Sequence, residues 1–269
     1  MSTNGARLIE MRGMVKHFGT IRAVENVDLD IGRAEVLAIV GDNGAGKSTL
    51  VKMLAGAVHP DAGEIRIEGQ PQRLREPNDA RRLGIETIYQ DLALLPNLDV
   101  TSNLFLGRER MAENGLRMFN VVARRRMRAE AREYLRELSI NIPQVSGAQV
   151  GSLSGGQRQS VAIARAIVWA SKLVIMDEPT AALGVVESQA VLQLVHRVRE
   201  RGTSVVIVSH ILPHVLELAD RIVVMRHGVK VADLPGRDVT QDHLIGLIVG
   251  YEKARMPGAV ASAETRDEA

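Results

Sequence analysis

Residues 41–48 read Gly-Asp-Asn-Gly-Ala-Gly-Lys-Ser, followed by Thr49. Gly41, then Asp42, Asn43, Gly44 and Ala45, then Gly46, Lys47 and Ser48 match the pattern G-x-x-x-x-G-K-[ST]. The run before it, 35–40, is short and apolar and reads as a buried strand. The run after it, 47–57, has Leu50, Val51, Leu54 and Ala55 at helical spacing. A strand that turns through glycines into a helix aims backbone N–H groups at one point. It also adds the positive end of the helix dipole there, so the loop suits a phosphate. Lys47 is placed to reach β- and γ-phosphates, and the Ser48 hydroxyl to ligate Mg²⁺. By chance a chain of this length shows the pattern roughly one time in a hundred.

The same alternation continues outward from the loop. Strands are expected at 8–15, 23–31, 64–68, 85–89, 173–176, 205–208 and 222–225. Helices are expected at 78–83, 157–170 and 185–201. Strands alternating with helices imply an α/β fold with a parallel sheet covered on its faces. The stretch from about 91 to 152 differs. It is rich in Leu, Arg and Glu, has helical periodicity at 124–138, and reads as a helical subdomain. Residues 1–252 are expected to form one domain, with 253–269 a disordered polar tail. The phosphate-loop pattern occurs once.

Composition narrows the function. The chain has 269 residues, 45% hydrophobic and 25% charged, which suits a globular domain with a sizeable core. A formal net charge of +2 argues against a nucleic-acid binder. The absence of cysteine excludes disulfides and thiolate metal sites. No apolar run reaches the ~18 residues needed to cross a bilayer, and the start lacks a signal-peptide core, so the chain is expected to be cytoplasmic.

Residues 173–178, Leu-Val-Ile-Met-Asp-Glu, form an apolar strand ending in two carboxylates. A central parallel strand delivers its C-terminal end to the ligand crevice. Asp177 is the candidate for Mg²⁺ and Glu178 the candidate to polarise an attacking water. Leu153-Ser154-Gly155-Gly156-Gln157 is a second glycine-bearing helix start, with Ser154 as N-cap.

That last segment resembles the signature motif of ATP-binding-cassette proteins, and the other family elements follow in order. Phe18, in Lys16-His17-Phe18-Gly19, resembles the aromatic that stacks on adenine. Gln90 resembles the Q-loop glutamine, a catalytic and Mg²⁺-contacting position. His210, in Val208-Ser209-His210, resembles the switch histidine that contacts the γ-phosphate. The resemblance spans roughly residues 8–250. It implies a P-loop NTPase of the cassette type, with a mostly parallel core sheet, an antiparallel β edge and a helical subdomain. It also implies ATP and Mg²⁺ as ligands, and two cassettes packed head to tail so that each signature motif closes over the partner's ATP. With one cassette here, that means a homodimer or a pair with a related chain. One position departs from the pattern. The loop after Asp177-Glu178-Pro179-Thr180 commonly ends Leu-Asp, and this chain has Leu183-Gly184.

Residues 91–109 are similar to cassettes of bacterial monosaccharide importers of the ribose and fructose type. The implied partners are a membrane permease and, indirectly, a periplasmic sugar-binding protein, with the cassette peripheral at the cytoplasmic face of the inner membrane. Fructose is the first expectation for the sugar and ribose-type sugars the next. The competing class is a non-transport cassette ATPase of DNA repair or translation. The single cassette and the lack of sustained heptads between Gln90 and Leu153 count against it. The arginines at 124, 125, 126, 128 and 132 read as a solvated helix face.

Overall fold

The structure, a computed structural model, describes residues 7–89, 92–112, 121–142, 145, 147–181 and 183–251. Gln90, expected in the site, and the expected tail 253–269 lie outside the described residues.

Two sheets form the frame. The first is antiparallel, in the order β2–β1–β4–β5, from β1 (Arg7–Phe18), β2 (Ile21–Gly32), β4 (Ala62–Ile67) and β5 (Gln70–Gln72). The second has the order β10–β9–β3–β8–β7–β6, from β3 (Val36–Val40), β6 (Ile85–Ile88), β7 (Leu173–Asp177), β8 (Ser204–Val208), β9 (Arg221–Arg226) and β10 (Val229–Pro235). Strands β9, β3, β8, β7 and β6 run parallel, and β10 returns antiparallel from β9. The antiparallel part is thus a separate sheet plus one hairpin edge.

The helices are α1 (Lys47–Leu54), α2 (Pro77–Arg82), α3 (Val100–Leu104), α4 (Arg124–Glu137), α5 (Gly155–Trp169), α6 (Val185–Glu200), α7 (Leu212–Leu218) and α8 (Gln241–Val249). The sequence reading missed β5, β10, α3, α7 and α8. All are short, three to nine residues, so that a period has little room to stand out from an ordinary apolar run.

Period-2 alternation assigns each core strand to two layers. In β7, Leu173 and Ile175 point to the side covered by α1 and the antiparallel sheet. Val174 and Met176 point to the side covered by α5 and α6. In β8, Val206 and Val208 face the first side, and Val205 and Ile207 the second. Every residue of β3, β7 and β8 is buried, so these strands read as continuous apolar runs. Each Val, Leu, Ile or Met side chain among them contributes about 1.5–3 kcal/mol by leaving water.

In the 91–152 stretch the described residues combine helices with turns and loops. Its described part holds α3, α4 and a 3₁₀ turn at Val150–Ser152. Before α3 the chain runs through Pro96, Asn97 and the N-cap Asp99, whose carboxylate accepts from Ser102 N–H at 2.8 Å. Asn103 is fully buried; it accepts from Leu95 N–H and donates to Leu95 and Asp99 carbonyls at 2.8–3.1 Å, which fixes this turn. Phe105, Met127, Ala131 and Leu135 then join the same apolar cluster as α5, α6 and the sheet face.

Candidate nucleotide site

Three adjacent parallel strands bring the motifs together. The 41–48 loop leaves β3, Asp177 ends β7, and Ser209-His210 follows β8, which lies between them. Gln90 follows β6, the neighbour of β7.

The loop geometry explains its glycines. Gly41, Gly44 and Gly46 have φ of 147°, 81° and 99°, a region L-residues rarely adopt. A Cβ on Gly41 would lie 2.1 Å from the Met225 carbonyl oxygen, and one on Gly46 2.2 Å from that of Ala23. Nothing lies within 4 Å of the equivalent point on Gly44, so its open side faces the cleft. Gly46 is the left-handed N-cap of α1, which leaves the first N–H groups of that helix turned into the loop.

Lys47 is buried and donates through Nζ to the carbonyls of Gly41 at 2.7 Å and Asp42 at 2.8 Å. Burial lowers its pKa, against the opposing pull of Glu178, Asp177 and Asp42. Burial likewise raises the pKa of Asp177, with the nearby Glu178 charge adding to it and the Ser48 hydroxyl, Lys52 and Lys47 opposing it. Ser48 Oγ donates to Asp177 Oδ1 at 3.4 Å. These two hard oxygens converge at the mouth of the phosphate loop and fit a Mg²⁺ ion that also binds phosphate oxygens. Among the described residues, no cluster of three or more His, Cys, Asp or Glu side chains forms a metal site by itself.

Glu178 is held in the left-handed region, φ 53°, while its N–H donates to the Val208 carbonyl at 2.9 Å. This turns its carboxylate out of the strand direction. Glu178 Oε2 sits 2.9 Å from His210 Nδ1, yet takes no well-aligned hydrogen bond. His210 is itself largely exposed. The buried Ser209 accepts from Ile211 N–H at 3.1 Å and so shapes the turn that carries His210.

A cleft of about 490 Å³ is lined by residues 43–49, Asp177, Glu178 and His210, with Ile21, Ala23 and Ala181. Gly41 and Asp42 sit behind it and supply Lys47's acceptors. Phe18 is 49% exposed but does not line the cleft. Its cross-strand partner Ile21, 67% exposed, does. Ile21 was missed because β2 was expected to begin at residue 23. The signal lay in Gly19-Thr20, a two-residue turn that sets Phe18 opposite Ile21.

The second glycine loop stays apart from this cleft. Ser154 caps α5 in a capping box: its Oγ accepts from Gln157 N–H at 3.2 Å, and its N–H donates to Gln157 Oε1 at 3.0 Å. Ser154 and Gly155 are exposed. Ser154, Gly156 and Gln157 line a different cavity, of about 360 Å³, with residues of α6 and the chain after α4.

Comparison with known proteins agrees with this arrangement. Residues 24–181 match the family model for ABC transporters. The chain is 47% identical over 248 residues to the fructose import ATP-binding protein of Rhizobium meliloti, covering 91% of this chain and 95% of that one. It is 42% identical to a ribose import ATP-binding protein of Rubrobacter xylanophilus over 90% of its own length, but spans only 47% of that longer protein. Among solved structures, an ATP-binding cassette of an ABC transporter in its ADP conformation superposes with a TM-score of 0.76 at 26% identity, covering 90% and 95% of the two chains. A dimeric cassette in a post-hydrolysis state with ADP and phosphate superposes with a TM-score of 0.71 at 26% identity, covering 86% and 100%. With the phosphate loop, the acidic strand end and the histidine gathered on one sheet edge, this chain belongs to the ABC transporter family.

Proposed function

We propose that this chain is the ATP-hydrolysing subunit of an ABC importer that energises uptake of a monosaccharide, fructose first and ribose-type sugars next. The observation that carries the hydrolytic reading is the cleft itself, where the phosphate loop, Asp177, Glu178 and His210 share one wall. The similarity to fructose and ribose import proteins supports the sugar. The partners are membrane permease subunits and, through them, a periplasmic sugar-binding protein. The cassette acts as a homodimer, peripheral to the cytoplasmic face of the inner membrane. Among the described residues no helix is long and apolar enough to cross a membrane. No feature of the cleft favours the nucleic-acid alternative.

In this reading the N–H groups at the start of α1 hold the ATP phosphates, and Lys47 exchanges its loop carbonyls for phosphate oxygens. Phe18 and Ile21, at the end of the β1–β2 hairpin, offer apolar surface to the base. Ser48 and Asp177 would hold Mg²⁺, with Gln90 as a further contact, and the ion would supply charge neutralisation on the phosphates. Glu178 orients water and takes its proton, and His210, whose Nδ1 lies 2.9 Å from the Glu178 carboxylate, completes the site at the γ-phosphate. Ser154, Gly155, Gly156 and Gln157 are exposed or line a separate cavity, so in a head-to-tail pair they serve the partner's nucleotide. Catalysis is positioning and charge stabilisation.

The test is ATP hydrolysis by the chain with its permease in vesicles, over a panel of monosaccharides presented with the binding protein. Hydrolysis stimulated by one sugar supports the reading. Hydrolysis indifferent to every sugar and to the permease overturns the importer assignment.

A further inference from the structure

Gly156 and Gly184 lie on different elements, the first turn of α5 and the N-cap of α6. The space where each would carry a side chain is taken by the same residue. A Cβ on Gly156 would lie 2.2 Å from Glu187 Cγ and 2.8 Å from Glu187 Cβ. A Cβ on Gly184 would lie 2.7 Å from Glu187 Oε2. Gly184 has an ordinary φ of −69°, and Gly156 is not among the glycines with positive φ. Backbone conformation therefore does not demand glycine at either place; the Glu187 Cβ and Cγ exclude a side chain at 156, while at 184 it is the movable carboxylate tip of Glu187 that stands in the way. Close-packed atoms transmit displacement, because neither side can yield without losing contact.

The Gly184 end is tied in turn to Glu178. Ala181 N–H donates to the Glu178 carbonyl at 3.4 Å, Leu183 N–H to that of Thr180 at 3.3 Å, and Ser188 N–H to that of Gly184 at 2.9 Å. Glu187 thus touches the second glycine loop with its stem and the loop that carries Glu178 with its carboxylate. It also lines the 360 Å³ cavity beside Ser154 and Gly156.

We propose that Glu187 is a positioning residue, a strut that sets the 154–157 loop relative to the loop carrying Glu178, so that engagement of the first is felt at the second. The proposal rests on the nucleotide-site reading above. It assigns Glu187 no contact with nucleotide. An acid in the first turn of α6 also suits the helix dipole. That role alone would alter thermal stability and leave turnover untouched.

The experiment compares E187A, E187Q, G156A and the double variant G156A/E187A in the full chain, with E178Q as reference. Turnover, KM, affinity for a fluorescent ATP analogue and melting temperature are measured for each. E187A and G156A are each expected to lower kcat at least about fivefold, with KM and analogue affinity within about twofold. E187Q, which keeps the shape, is expected to retain at least half the wild-type kcat. The double variant is expected to turn over faster than G156A, because the Cγ that the new methyl meets at 2.2 Å is gone and only the Cβ, at 2.8 Å, remains. The strut is refuted if E187A turns over at the wild-type rate, if E187Q is as slow as E187A, or if the two single losses multiply in the double variant. Loss of turnover in E178Q with an intact E187A removes only the strut. Wild-type turnover in E178Q removes the nucleotide-site reading itself.

Discussion

Two glycine-bearing loops open helices in this chain, one at 41–48 before α1 and one at 153–157 before α5. They use the same elementary chemistry, N–H groups at a helix start, and are built in opposite ways. The first has three glycines in left-handed or extended-positive φ, a left-handed cap, and a buried lysine whose charge is already matched by loop carbonyls. The second has a serine cap with a closed capping box, and its exposed Gly155 has open space around it. The first uses glycines to hold a positive-φ turn that other residues would adopt only with strain, and so surrounds a point with N–H groups; the second is an ordinary, well-capped helix start at the surface. An enclosed cradle binds alone. An open one presents N–H groups to a ligand held by another surface.

The largest test of this contrast is Lys47→Ala, which removes the buried cation. A loss of about 10²-fold or more in kcat/KM is expected, read from ATP turnover. Retention of wild-type kcat/KM would mean that the first loop is not the binding cradle. Next comes Glu178→Gln, expected to bind an ATP analogue normally while kcat falls by about 10²-fold or more.

Ser154→Ala attacks the second loop. It should cost about 1 kcal/mol of stability by opening the capping box. Turnover should fall while the affinity of the isolated chain for nucleotide stays unchanged. Weakened binding to the isolated chain would erase the distinction between the two loops.

Asp177→Asn sharpens the contrast through pH. In the nucleotide-free protein Asp177 has a raised pKa, so its ionised form costs stability. That cost is absent in acid, grows as pH rises through the ordinary carboxylate range to the raised value, and is constant above it. The variant should therefore melt higher than wild type at neutral pH, with the gap closing toward acid. It should also lose the extra stabilisation that Mg²⁺ gives on top of nucleotide. A gap that persists unchanged in acid would rule out this cause.

The smallest effects compare two glycines directly. Gly44→Ala, at φ 81°, should destabilise by about 1–2 kcal/mol through backbone strain alone. Gly155→Ala, with ordinary φ and free space, should be neutral or stabilise by about 0.4–1 kcal/mol. Melting curves decide both.

Much of the fold was legible because its signals are local. The apolar runs at 36–40, 173–177 and 204–208 are fully buried strands, and short runs bounded by turn residues announce that. The phosphate loop and the Ser154 cap depend on residue types at fixed spacing, so they too were readable. The short α7 and α8, the return strand β10 and the loop-rich entry to α3 were not, because they are too short for a period to declare them; packing holds them, α7 against α6 and α8, α8 and β10 against β9, and α3 against α5.

What the sequence determined by itself is the inventory of chemistry: a phosphate loop, two carboxylates at a strand end, a histidine, and a capped second glycine loop. Only the tertiary structure decided who stands beside whom. Strand order put β8 between β3 and β7 and so joined His210 to Glu178. Hairpin pairing set Ile21 opposite Phe18 and brought it to the cleft. Packing set the stem of Glu187 against Gly156 and its carboxylate beside Gly184. Each of these depends on contacts between residues distant in the chain or on side chains that fold back, and spacing along a sequence carries no record of either.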